Sequence, residues 1–117
     1  MRILVSALEP SSNLHLKALL PHLKNTEIVG LFDKKLGTPL YTSDEFNVMG
    51  IIDVVPKILR AKEIISDLTF LAKDVDKILL IDAPAFNLPL AKSIKKLLPN
   101  IEITYFILPK VWAWKKN

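Results

Sequence analysis

Lys77-Ile-Leu-Leu-Ile81 is followed at once by Asp82 and then by Pro84. A strand with one wet face alternates apolar and polar side chains, whereas a short aliphatic run without alternation belongs to a strand buried on both faces. Such strands sit in the middle of parallel, helix-covered sheets, so Asp82 stands where a central strand emerges towards solvent. Three further segments read as strands: Arg2–Leu8, Glu27–Phe32 ending at Asp33, and Ile101–Ile107.

Between them the apolar period changes. Leu16, Leu19, Leu20 and Leu23 fall at i, i+3, i+4 and i+7 and predict a first helix. Ala61, Ile64, Ile65, Leu68, Leu71 and Ala72 form one stripe of a long second helix. Pro56 suits a first helical turn and divides a short segment, Val48–Val54, from that helix. A third helix starts near Asn87 and carries Leu90, Ile94, Leu97 and Leu98 on one side, with Lys92, Lys95 and Lys96 opposite. Residues 34–46 read as a loop through Gly37 and Pro39, with Thr42, Ser43 and Asp44 as capping candidates. Strands alternating with helices imply right-handed crossovers and a Rossmann-like, mostly parallel α/β sheet. Ligands in such sheets bind beyond the carboxyl ends of the strands, where Glu9, Asp33, Asp82 and Lys110 stand.

Half of the 117 residues are apolar, which supplies one core and not two. With no cysteine the chain has neither disulfides nor thiolate metal ligands, and His15 and His22, seven apart, form no metal cluster. No apolar stretch approaches about 18 residues, and the N-terminal run lacks a cleavage pattern, so the expectation is an intracellular chain without a span. The net charge of +4 is spread over helix faces. It permits attraction to anionic lipid or phosphate, but lacks the dense basic stripe and aromatic platforms of a nucleic-acid binder.

Two places offer chemistry. In Glu9-Pro-Ser-Ser-Asn13 the hydroxyls of Ser11 and Ser12 and the amide of Asn13 either hold an anionic or polyhydroxyl ligand at a helix N-terminus or cap the helix. The absence of glycine there argues against a dinucleotide fingerprint, which needs three for close backbone approach. Asp82 either takes a proton from a substrate hydroxyl, which requires its carboxyl at the mouth of a cleft, or hydrogen-bonds the following turn. Trp112 and Trp114 fall on the same side of an extended segment and either line a groove or seal a packing face. Met49, Ile51 and Ile52 suit acyl chains or a membrane face, or else ordinary core.

Three motifs occur in order: VMGIIDVVPKI from Val48, IDAPAFNLPLAK from Ile81 and ILPKVWAWKK from Ile107. Together they resemble the lipid-A-disaccharide synthases, glycosyltransferases of GT-B architecture, whose patterns read V-M-G, I-D-x-P-D-F-N and S-P-x-V-W-A-W. Glu9 and Ser11 match that family's G-E-x-S-G-D segment. The chain departs from the pattern at Ala85, at Ser12-Asn13 and at Leu108. The resemblance covers essentially the whole chain and implies transfer of an acylated glucosamine from UDP-2,3-diacylglucosamine to 2,3-diacylglucosamine 1-phosphate, without a cofactor. It further implies Asp82 as catalytic base, Glu9, Ser11 and Asn87 as substrate-binding residues, and Met49, Ile51 and Ile52 as acyl-chain or membrane contacts. A cytoplasmic protein, peripheral on the inner face of the cytoplasmic membrane, follows from the same resemblance. On this reading residues 1–117 are an incomplete N-terminal, acceptor-side domain without the nucleotide-sugar domain, inactive alone. The alternatives are a phosphoacceptor receiver-like domain built on Asp82 and Lys110, or a non-catalytic remnant.

Overall fold

A computed structural model of the chain describes residues 1–44 and 54–107, the side chains of residues 54–57 aside. The elements run β1 (Arg2–Ala7), α1 (Pro10–Leu19), β2 (Glu27–Phe32), β3 (Tyr41–Thr42), α2 (Val54–Leu71), β4 (Lys77–Ile81), α3 (Pro84–Leu97) and β5 (Glu102–Phe106). The strands form one sheet in the order β3-β2-β1-β4-β5. Every pairing is parallel, with Val5 opposite Gly30 and Leu79, and Leu79 opposite Thr104. This is the Rossmann-like α/β architecture expected from the alternation of periods.

The non-alternating runs are the central strands. Ile3 through Ala7 are buried on both faces of β1, and Ile78, Leu80 and Ile81 on β4. One face packs Leu4, Leu31, Ile78 and Leu80 under Ile64 and Leu68 of α2 and Phe86, Leu90 and Ile94 of α3. The other face packs Ile3, Val5, Ala7, Phe32 and Ile81 against Leu16 of α1. At the centre Gly30 takes φ +118°, and a Cβ there would lie 2.4 Å from the carbonyl oxygen of Val5, so only glycine lets β2 approach β1 this closely.

Several boundaries differ from the sequence reading. Among the described residues the sheet has five strands, because Tyr41 and Thr42 extend it beside Leu31 and Phe32, within what reads as a loop. Thr42 is therefore a strand residue, and the backbone N–H of Ser43 donates to Phe32 O (3.1 Å). α1 stops at Leu19, before Pro21, and continues as a 3₁₀ turn over Leu20–His22, so Leu23 lies outside the helix. α3 begins at Pro84 and not near Asn87, since proline is at home in a first turn. Pro56 does fall in the first turn of α2, but Val54 and Val55 belong to the same helix, so no break separates Val54 from it. Met49, Ile51, Ile52, Lys110, Trp112 and Trp114 lie outside the described residues. No helix among the described residues is long and apolar enough to cross a membrane.

Candidate functional site at the strand tips

The carboxyl ends of β1 and β4 meet the N-termini of α1 and α3. After Ile81 the chain turns through two consecutive left-handed residues, Asp82 (φ +50°) and Ala83 (φ +45°). Neither is glycine, and the left-handed region costs an L-residue about 1–2 kcal/mol each. Aspartate tolerates it better than alanine, because its short polar side chain bonds locally. Something must hold this turn.

What holds it is a convergence of donors on two adjacent carbonyls. Ile81 O accepts from Ser12 Oγ and from Asn87 Nδ2, both at 3.2 Å. Asp82 O accepts from Asn87 Nδ2 at 2.7 Å and from the Tyr105 hydroxyl at 2.8 Å. The backbone N–H of Asp82 donates to Phe106 O at 2.7 Å. Three elements, α1, α3 and β5, thus clamp two residues. Burial and, second, the charge of Asp82 raise the Tyr105 phenol above its ordinary pKa, so the hydroxyl remains a donor through neutral pH.

A second link ties β1 to β2. The Asn13 amide donates to Ala7 O and to Glu9 O (3.0 Å each), and its Oδ1 accepts from the backbone N–H of Asp33 (2.7 Å). Asp33 itself caps the short 3₁₀ turn that follows, its Oδ1 accepting from Lys35 N at 3.0 Å.

The structure therefore brings Asp82, Asn87, Ser12 and Tyr105 together, and places Glu9, Ser11 and Asn13 in the adjoining loop and first helical turn. None of Ser11, Ser12 and Asn13 is the N-cap of α1: that position is Glu9, whose side chain makes no capping bond. Ser11 is exposed and Glu9 half-buried, so both can meet a ligand directly. Asp82 is different. It is only 1% exposed, which corrects the expectation of an open carboxyl at the mouth of a cleft. Asn87 is 0% exposed, with both amide hydrogens committed inside the protein, so it does not meet a ligand from solvent as the sequence reading has it. Its placement on the buried side of the first turn of α3 follows from the helix starting three residues earlier than expected.

Tyr105 and the bridging role of Asn13 escape the sequence reading. Tyr105 pairs with Leu80 in the sheet and shares the α3 side with Ile103. An aromatic hydroxyl one residue before the end of a strand, opposite the strand that ends in the acid, is the signal available for it.

Beside this cluster, a groove of about 260 Å³ runs between α1 and the sheet, lined by His15, Ala18, Leu19, His22, Leu79, Ile81 and Phe106. Asp82 is not among its lining residues. No group of three acidic or histidine side chains among the described residues is placed to hold a metal ion.

A family model described as Lipid-A-disaccharide synthetase matches residues 3–117. The chain belongs to this family. Lipid-A-disaccharide synthase of Campylobacter jejuni (strain RM1221) is 47% identical over 97% of the chain. The enzyme of the same name from Helicobacter pylori (strain HPAG1) is 47% identical, again over 97% of the chain. The chain spans about a third of the length of these curated relatives, 35% and 31% respectively. Membership of the synthetase family sets aside the receiver-like reading, which rests on Asp82 and Lys110 alone.

Proposed function

We propose that this chain is the acceptor-side part of a hexosyltransferase of lipid A biosynthesis, of GT-B architecture, whose nucleotide-sugar side lies in the portion of its relatives that it does not span. The reaction joins UDP-2,3-diacylglucosamine to 2,3-diacylglucosamine 1-phosphate and releases UDP. The observation that carries this reading is the match over residues 3–117, with the family's I-D-x-P segment falling on the strained turn at the sheet's carboxyl edge.

Asp82 is the base in this scheme. Its carboxylate takes the proton of the acceptor hydroxyl as that oxygen attacks the anomeric carbon, the bond to the UDP oxygen breaks, and UDP departs. At 1% exposure the carboxylate is covered, so this role requires the acceptor to displace that cover before its hydroxyl reaches Asp82. Glu9 and the exposed Ser11 contact the acceptor. Met49, Ile51 and Ile52 take an acyl chain or the membrane surface, an assignment resting on the motif alone. The setting is cytoplasmic and peripheral at the inner face of the cytoplasmic membrane, and the modest positive charge suits an anionic surface.

The test is UDP release by the complete gene product supplied with both acylated sugars. Turnover is expected, with Asp82→Asn slower by about 10²–10⁴, the range of general-base contributions. Residues 1–117 alone give no turnover. A folded complete product that releases no UDP overturns the catalytic reading and leaves a remnant.

A further inference from the structure

We propose that Asn87 and Tyr105 are positioning residues that aim Asp82 by gripping its backbone from α3 and β5. This rests on the reading of Asp82 as the base.

Three observations meet here. Asp82 and Ala83 hold left-handed φ angles that a non-glycine pair does not keep without support. The carbonyl of Asp82 receives Asn87 Nδ2 and the Tyr105 hydroxyl, while its N–H donates to Phe106 O, so both backbone polar groups of this one residue are held. Finally, Asn87 is fully buried, yet its Oδ1 has no hydrogen-bond partner among the described residues. An orphaned buried carbonyl is costly, and leucine, of similar shape, avoids it; what asparagine supplies at this position is its two-hydrogen amino group, spent on Ile81 O and Asp82 O. A carboxylate attached to a backbone gripped at both ends keeps its Cα–Cβ direction, and small misplacements of a catalytic group cost large factors in rate.

The experiment has two readouts on the complete gene product. Tyr105→Phe lowers kcat for UDP release about tenfold or more with KM within about twofold, since the lost donor acts on aim and not on substrate binding. Asn87→Leu does the same, and the double variant loses less than the product of the two single losses, because both act on one turn. Independently of activity, amide hydrogen exchange at Asp82 and Ala83 accelerates about five- to tenfold in Tyr105→Phe relative to Leu80, the equivalent of one lost hydrogen bond confined to the turn. A merely structural tyrosine leaves the kcat-to-KM pattern unsplit and loosens Leu80 equally. Unchanged kcat, or exchange that rises uniformly or not at all, overturns the proposal. If the unmodified product releases no UDP, the glycosyl-transfer reading fails, and the exchange comparison alone decides whether the grip exists.

Discussion

Replacing Asn13 by alanine removes one side chain that serves three backbone groups, and the cost can be worked group by group. Glu9 O loses the amide but keeps the backbone N–H of Asn13 at 3.1 Å, so its share is near zero. Ala7 is fully buried at the end of β1, and its carbonyl loses the donor at 3.0 Å; an unsatisfied buried acceptor costs about 1–3 kcal/mol. The Asp33 N–H loses its 2.7 Å acceptor, but Asp33 is half-buried, so water restores part of the loss and about 1 kcal/mol remains. The sum is about 2–4 kcal/mol. With a urea dependence of about 1–1.5 kcal/mol per molar for a domain of this size, the unfolding midpoint falls by roughly 2 M. Urea titration followed by far-ultraviolet circular dichroism measures it. Ser11→Ala, two residues away on the exposed side of the same turn, is the control, and should move the midpoint by less than about 0.5 M. A fall of under about 0.5 M for Asn13→Ala refutes the reasoning, because it means that this amide is not the tie between β1 and β2 and is free to serve a ligand instead.

Two other outcomes follow from the same structure. Gly30→Ala places a methyl 2.4 Å from Val5 O on a backbone of φ +118°, and should destabilise by about 3 kcal/mol or more in the same titration; a loss below about 1 kcal/mol contradicts the close approach of β1 and β2. The two tyrosines both ionise above the ordinary value of 10.0, Tyr41 through its hydrogen bond to Asp67 and then burial, Tyr105 through burial and then the charge of Asp82. Both folded pKa values are raised, so their contribution is fully present below pH 10 and declines as pH rises through the folded values, the unfolded chain ionising first. Tyrosinate absorbance of the folded chain should therefore rise at higher pH than that of the unfolded chain, and Tyr105→Phe should remove one of the two steps; a folded-chain phenol that titrates at or below the unfolded one is incompatible with this geometry.

Which parts of this were legible in the residues depends on how local their causes are. Lys77–Ile81 declares itself a central strand because burial on both faces leaves a one-dimensional trace, and the stripe from Ala61 to Ala72 declares its helix in the same way. Tyr41 and Thr42 do not, since a two-residue strand has no period and exists only because Leu31 and Phe32 offer it an edge. Pro21 coincides with the end of α1, whereas the leucine spacing runs on to Leu23 and so does not mark that end. Asp82 could be placed at a strand end, because chain order fixes that. Its burial could not, because burial depends on what three other elements bring over it.

The dipeptide Asp82-Ala83 shows why a site can hide in an ordinary sequence. A left-handed turn is normally announced by glycine or asparagine, which adopt it without strain. Here the strain is carried by residues that do not prefer the conformation and is offset from outside, by Ser12, Asn87 and Tyr105, which lie as far as 69 residues before and 23 after the carbonyls they hold. Glycine at 83 relieves the left-handed cost but removes a buried methyl group and leaves the turn free to relax when the clamp opens. Alanine makes the turn dependent on its clamp. A carboxylate whose aim is set by three separate elements is rigid only while the sheet, α1 and α3 are all in place, so proper aim at this position is a property of the assembled sheet edge and not of the I-D-A-P segment itself.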